Sequence, residues 1–481
     1  MQKITIHNFG PIKAVEALEI SNTLLLIGQQ ASGKSTISKL IYFFKSLKDD
    51  VFACLEEHQY KNNIDNIAIQ DTQLKLFAKI KSKFYTFFGS TKHDTFALIY
   101  EYQTDLTISL RPNEVGSIVI DFSNNWYQRG FYALIKSWNQ FLQAENAFNL
   151  LQKTSRKNQE TSTDALLRRR KEHEFNHAKE GVDAQINALF GENEHHARRL
   201  FYIPAGRSLL SSLKQSFQSR LIDELINAKI LDEIQLADKT LQERKSYFEF
   251  FVRDFFERID TIKNKILFGK TLTEVIEEYT LLQNQDDIIA KAFHQRMKKI
   301  LKADYKVDAY GERLVSSDFT KPIKLDFASS GQQEVIWILL QLLVLILENQ
   351  PSFVVIEEPE AHLYPTAQVE MLQLIALFLQ ANPHNQVIIT THSPYMLTAM
   401  NNLLFAQRVY DKNPANKAEI IKAIGTESWI SPNAFGAYYI ANTHIVNIFN
   451  KDTGVIAESE LDDASESIME VFDSLMDIYK V

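Results

Sequence analysis

The stretch Gly28-Gln29-Gln30-Ala31-Ser32-Gly33-Lys34-Ser35-Thr36 constrains the chain more than any other. It is entered from the apolar run Leu24 to Ile27 and left by a helical pattern that begins near Lys34. Glycines at both ends of a four-residue gap let backbone N–H groups turn inward around an anion. The positive end of the following helix adds roughly half an elementary charge. This is the pattern of a phosphate-binding loop, with Gly28, Ser32, Gly33, Lys34, Ser35 and Thr36 as nucleotide contacts. Lys34 would reach the β- and γ-phosphates of a nucleotide, and the Ser35 hydroxyl would ligate the bridging Mg²⁺. The strand that feeds the loop reads as the third of a mixed β lobe that begins at residue 1, rather than as a plain parallel start.

A chain of 481 residues has room for two or three structural units. Apolar content of 45% and charged content of 23% are ordinary for a globular protein. The formal charge of −8 argues against coating nucleic acid by bulk electrostatics, while leaving a local basic patch open. With Cys54 alone, no internal disulfide and no zinc cluster can form, which fits a reducing, cytoplasmic compartment. Met1 to Ile6 alternates like a strand and lacks the apolar centre of a signal peptide. The apolar run Val335 to Leu347 contains Gln341 and is too short to span a bilayer, so a buried helix and no membrane partner are expected.

In order, residues 1–125 read as an N-terminal nucleotide-binding lobe. Its strands end near Ile20 and Ile27, a helix runs from about Lys34 to Ser46, and a meander covers Phe96–Tyr102, Leu106–Arg111 and Ser117–Phe122. Residues 126–303 read as a mainly helical insertion, broken by a polar loop from Lys153 to Asp164. Arg168-Arg169-Arg170-Lys171 is its densest basic cluster, either a solvated helix face or a phosphate-contacting surface. Phe201 to Ser208 reads as a buried strand that stops at Pro204 and delivers Arg207, either to a structural ion pair or toward nucleotide or a neighbouring subunit. The aromatic stripe Phe248, Phe250, Phe251, Phe255 and Phe256 is expected in core or subunit contact. Residues 304–430 alternate strand and helix as an open, mostly parallel lobe. Residues 431–481 form an acidic segment closing with an amphipathic helix through Ile468, Val471, Phe472, Leu475 and Ile478.

Three further pieces carry chemistry. Phe353 to Ile356 places Glu357 and Glu358 at the carboxyl end of a strand, where the first carboxylate suits a Mg²⁺ shell and the second a general base for the attacking water. The strand Val387 to Thr390 ends in Thr391-His392-Ser393-Pro394, so that His392 can touch a γ-phosphate or that water. Ala328-Ser329-Ser330-Gly331-Gln332-Gln333-Glu334 opens a long apolar helix; the Ser329 hydroxyl and Gly331 N–H, with Gln332 beside them, can cap an anion. A capping box of Ser330 with Gln333 would explain the same residues without a ligand.

In this order the pieces resemble the ABC-type ATPase superfamily, in its soluble branch with RecF, SMC and OLD-type ATPases. The resemblance rests on residues 1–48 and about 320–405. It implies an α/β fold: an ABC-type ATPase head with a mixed β lobe, an open mostly parallel α/β lobe and a helical insertion. It also implies at least a homodimer, because in that superfamily the signature of one copy caps ATP held by the loop of another. Carried over, Lys34 binds phosphates, Ser35 and Glu357 serve Mg²⁺, Ser329 and Gly331 cap ATP in trans, Glu358 is the base and His392 the switch histidine. Ala31 and Gln30 stand where the family often has glycine and asparagine, Ser330 replaces a signature glycine, and Glu357 replaces an aspartate, which makes slow turnover an expectation.

Glu357-Glu358-Pro359-Glu360-Ala361-His362-Leu363-Tyr364-Pro365 and the following Thr391 to Pro394 look most like OLD-type and antiphage-defence ATPases of the Septu and PARIS kind. The stretch after the histidine strand is short for a TOPRIM domain, so the resemblance implies that any nuclease effector is a separate chain. An oligomeric sensor or scaffold holding such an effector is the leading expectation. A RecF-like DNA clamp is the alternative, and a binding module with ATP as a structural ligand is a third reading.

Overall fold

The structure, a computed structural model, describes residues 1–62, 69–89, 95–155, 162–191, 199–205, 207, 249–283, 288–316, 318, 321–425, 427–441, 445–457 and 476. The chain divides into two compact units, each assembled from separated stretches: Met1–Ile20 with Lys39–Ala197, and Ser21–Ser38 with Arg198–Val481.

The first unit is built on a five-stranded antiparallel sheet. Strands β1 (Gln2–Phe9) and β2 (Ile12–Ile20) form a hairpin. Strand β3 (Thr23–Ile27) lies in the second unit and feeds helix α1 (Lys34–Asn62), which continues into the first. Helix α2 (Ile69–Phe88) precedes the meander β4 (Ala97–Gln103), β5 (Leu106–Pro112) and β6 (Ile118–Phe122), giving the order β2-β1-β4-β5-β6. Phenylalanines close its core edge to face: Phe9 meets Phe96 at 5.0 Å between ring centroids, and Phe43 meets Phe84 at 5.7 Å. Helices α3 (Tyr132–Ser155) and α4 (Ser162–Leu189) follow. Ser162 to Asp164, read from sequence as the end of a polar loop, are helical. Residues Arg168 to Arg170 are exposed on α4, where Arg170 and Lys171 pair with Glu174 at 3.2 and 2.6 Å.

The second unit holds a six-stranded sheet in the order β14-β13-β3-β12-β11-β7. Its strands are β3, β7 (Arg199–Ile203), β11 (Ser352–Glu357), β12 (Gln386–Thr391), β13 (Phe435–Ile440) and β14 (Ile445–Asn447). All neighbours pair in parallel except β14, which runs antiparallel to β13. Strands β3, β11 and β12 are buried along their whole length, which is why they read as unbroken apolar runs. The helices of this unit are α5 (Glu249–Thr261), α6 (Leu272–Gln283), α7 (Ile288–Leu301), α8 (Ser330–Glu348), α9 (Pro365–Ala381) and α10 (Pro394–Lys412). The small strands β8 (Asp304–Asp308), β9 (Gly311–Val315) and β10 (Ile323–Lys324) form a separate sheet between α7 and α8.

Helix α8 is long and apolar enough to cross a membrane, but 83% of that window is buried inside the structure, as in a core helix. Phe251 and Phe255 are buried in the second unit, while Phe248 lies outside the described residues.

Two expectations need correction. The third N-terminal strand does not join the β lobe: β3 lies between β12 and β13, because an apolar strand buried on both faces fits a parallel sheet and not the edge of an alternating one. The helix expected to stop near Ser46 runs on to Asn62, as Val51, Cys54 and Leu55 continue its buried face. The amphipathic pattern Ile468 to Ile478 lies outside the described residues.

Candidate active site

Three adjacent parallel strands end together. Thr391 on β12 pairs with Ile27 on β3, and Glu357 on β11 pairs with Thr390 on β12. The residues that follow, Gly28, Glu358 and His392, therefore leave the same edge of the sheet, one strand spacing of about 4.8 Å apart.

The loop after β3 has the backbone its sequence requires. Gly28 has φ +155, and a Cβ there would stand 2.2 Å from the Ile440 carbonyl oxygen. Gly33 has φ +103, and Ala31, at the position where related loops often carry glycine, is held at φ +60. Lys34 is buried and donates to the carbonyls of Gly28 and Gln29 at 2.7 Å each, using two of its three ammonium protons. Burial pushes its pKa down, opposed by the carboxylates of Glu358, Glu360 and Glu357. Ser32 Oγ is buried without a hydrogen-bond partner among the described residues, an orphan that a phosphate oxygen would satisfy. Ser35 is exposed and Thr36 half-buried.

Glu357 is 4% exposed and fixed at both oxygens: Tyr202 donates its hydroxyl at 2.7 Å and the Ala205 N–H donates at 3.0 Å. Tyr202 in turn lies 3.1 Å from Ser38 Oγ, at the start of α1. A carboxylate has about four lone-pair sites, so Glu357 retains acceptor capacity for a metal-bound water. No cluster of three or more His, Cys, Asp or Glu able to hold a metal occurs among the described residues. A single buried carboxylate with free acceptor capacity, Glu357, beside the Ser35 hydroxyl would suit Mg²⁺, which keeps most of its water and takes only one or two protein ligands alongside phosphate.

Glu358 sits in the left-handed region at φ +45, its N–H donating to Thr390 O at 2.9 Å. His392 Nδ1 lies 3.7 Å from Glu358 Oε1 and 3.6 Å from Glu360 Oε1. The imidazole holds the Glu358 carboxyl below the usual carboxylate range against the effect of burial, with help from Lys34 and Arg207. Glu358 in return, with Glu360, raises His392. Glu360, 4% exposed, accepts from Thr391 Oγ1 and from the His392 N–H at 3.0 Å, so it sets where the histidine leaves β12. Sequence reading gave Glu360 no role. A buried acid that orients a histidine has no spacing signature of its own.

Ser329, Gly331 and Gln332 line a different space, a cavity of about 470 Å³ shared with Lys299, Lys302 and His362. The capping box of α8 is Ser329 with Gln332, not Ser330 with Gln333. Ser329 Oγ accepts from Gln332 N at 3.3 Å and lies 3.0 Å from Gln332 Oε1, while Gln333 reaches the carbonyls of Leu325, Asp326 and Ala328. The box shifts by one residue because Ser329, with φ −62 and ψ 152, is the last extended residue before the helix. Gly331 packs so closely that a Cβ would lie 2.5 Å from the His362 carbonyl oxygen.

Arg207 is 1% exposed. Its guanidinium donates to the carbonyls of Pro204, Glu357 and Glu358 at 2.6, 2.7 and 2.9 Å, and lies 3.9 Å from Glu334. Glu334 is the carboxylate partner that the structural ion-pair reading calls for.

A parallel sheet with a glycine-bounded phosphate loop on one strand and a carboxylate pair and histidine on the next two defines an ATPase of the phosphate-loop class. The chain belongs to the AAA ATPase domain family, whose profile matches residues 1–397. Among solved structures it is similar to an SMC head bound to the C-winged helix domain of ScpA, at 10% identity over 94% of this chain and 98% of that one, TM-score 0.38. It is also similar to a Pyrococcus furiosus Smc head with an extended coiled coil bound to the C-terminal domain of ScpA, at 12% identity over 98% and 100%, TM-score 0.34. RecF bound to ATPrS, from the RecFOR pathway, is similar at 12% identity over 93% and 97%, TM-score 0.26. Likenesses this distant carry no argument about activity or partners. No curated protein matches the chain.

Proposed function

We propose that the chain is an ABC-type ATPase that hydrolyses ATP with Mg²⁺ and works as an oligomer of at least two copies. The observation that carries this reading is the shared edge of β3, β12 and β11, which gathers Lys34, His392, Glu357 and Glu358 at one site. Bound Mg²⁺ would neutralise charge on the phosphates; Ser35 and Glu357 are its protein-side partners. Lys34 holds the phosphates, and Glu358, kept ionised beside His392, orients and deprotonates the attacking water. Ser329 and Gly331 cap the nucleotide of a second copy, for which the α8 N-terminus supplies donors and a favourable dipole.

In the cell this ATPase acts as a sensor or scaffold that controls a separate effector, a nuclease, in bacterial antiphage defence. Support for this finer reading comes from the sequence resemblance carried by Glu357 to Pro365 and Thr391 to Pro394. Glu358→Gln should lower turnover on the order of 10² while ATP affinity is kept, since only the base is lost. Unchanged turnover would remove Glu358 from that role. Turnover indifferent to duplex DNA, with phage protection lost in Glu358→Gln cells, fits effector control. DNA-stimulated, salt-sensitive turnover without protection would instead favour a RecF-like clamp.

A further inference from the structure

Arg207 is the most thoroughly buried charge near the site, and its partners are unusual. Three of its hydrogen bonds go to main-chain carbonyls, two of them on Glu357 and Glu358. Glu358 is also one of the few non-glycine residues at positive φ, a conformation that costs about 1–3 kcal/mol unless neighbours impose it. Its carbonyl accepts from Arg207 at 2.9 Å and from the Ala361 N–H at 3.1 Å, and its own N–H donates to Thr390 O, so Arg207 is the one side chain among the contacts that hold it.

The same Nη2 that donates to the Glu358 carbonyl lies 3.9 Å from Glu334 Oε2. Glu334 is 2% exposed and stands at the start of α8, one turn beyond Ser329 and Gly331. Its other oxygen lies 3.4 Å from His362 Nε2. His362, also at positive φ with +58, belongs to the loop that follows Glu358, and it lines the cavity of Ser329 and Gly331. Glu334 Oε2 and Arg207 Nε have no hydrogen-bond partner among the described residues. The pair is therefore close enough to attract and too far apart to be locked, as in a contact with slack to be taken up.

We propose that Arg207 is a positioning residue that fixes the Glu358 backbone, and that Glu334 links this hold to the N-terminus of α8. Engagement of Ser329 and Gly331 then tightens the Arg207–Glu334 contact and sets Glu358 for catalysis. The second half rests on the trans-capping reading; the first does not. Burial opposes the Arg207 charge, and Glu334 is the first of the carboxylates that offset it. A lysine cannot replace it, because one ammonium does not reproduce the planar fork that reaches three carbonyls and a carboxylate at once.

The test measures ATP affinity with a fluorescent ATP analogue, turnover at saturating ATP, and Tm for Arg207→Lys, Glu334→Gln, Ser329→Arg and the Glu334→Gln/Ser329→Arg double variant. Arg207→Lys is expected to lose at least tenfold in turnover with affinity within twofold of wild type. Equal turnover overturns the positioning role. Glu334→Gln, nearly isosteric and so expected to fold, should lose turnover in the same sense and add no further loss on top of Ser329→Arg. Additive losses, or a Glu334→Gln variant with wild-type turnover, overturn the link between the helix and Glu358. If Ser329→Arg alone leaves turnover unchanged, trans capping fails and the link with it, while Arg207→Lys still decides the positioning role.

Discussion

Gly331→Ala separates two demands made on one glycine. If Gly331 serves only to let a phosphate approach α8, adding a methyl group should leave the nucleotide-free protein as stable as wild type. In the structure the added Cβ falls 2.5 Å from the His362 carbonyl oxygen, so that carbonyl must retreat by roughly 0.9 Å to reach ordinary contact. It cannot do so freely. Leu363 N–H donates to Glu360 O at 2.9 Å, Gln368 donates to Leu363 O at 3.0 Å, and Glu360 itself is pinned by Thr391 and His392. Forcing such a shift costs about 1–3 kcal/mol. Replacing glycine with alanine in a helix returns up to about 1 kcal/mol, less in a first turn. A net loss of about 1–2 kcal/mol corresponds to a Tm lower by about 1.5–3 °C for the second unit, Ser21–Ser38 with Arg198–Val481. Differential scanning calorimetry without nucleotide reads this directly. A Tm equal to or above wild type would refute the packing argument and leave ligand approach as the reason for glycine.

Other predictions follow from single contacts. Lys34→Ala should weaken ATP binding at least tenfold by equilibrium titration, and unchanged affinity would undo the assignment of the phosphate loop. Ala31→Gly relieves a φ of +60 that costs an alanine about 1–2 kcal/mol, partly offset by glycine's greater backbone entropy, so Tm should rise by about 1–2 °C; a fall would show that the Ala31 methyl is needed. Burial raises the Cys54 thiol to about 11, so at pH 9 the folded protein should react with a thiol reagent only as fast as it unfolds. Because the unfolded thiol ionises first, near pH 8.5, the stability contributed by neutral Cys54 declines from there upward; rapid labelling of folded protein at pH 9 would contradict its burial.

The parts of the site legible in the sequence are those fixed by local chemistry. A glycine-bounded loop, a carboxylate pair after an apolar run and a histidine after another each declare themselves within ten residues, as do strands β4 to β6 by alternation. What could not be read depends on the sheet. That β12 lies between β3 and β11 is a matter of strand order, and the same order moves β3 out of the first unit's sheet. Glu360, Glu334 and Tyr202 act through buried contacts to residues distant in sequence, for which periodicity offers no sign. Arg207 announced itself only as a charge after a buried strand; its grip on two carbonyls 150 and 151 residues away required the fold. The alternative capping box of Ser330 with Gln333 gives way to Ser329 with Gln332, because the two serines carry equivalent hydroxyls and only backbone geometry chooses between them.

Specific ATP turnover across a range of protein concentrations, beside Glu358→Gln and Ser329→Arg, decides whether ATP is hydrolysed at a site completed by a second copy. The expected wild-type specific rate climbs with concentration and plateaus, and both variants fall on the order of 10² below it while staying measurable. A wild-type rate independent of concentration, matched by Ser329→Arg, would contradict completion in trans; equal turnover in Glu358→Gln would contradict the site itself.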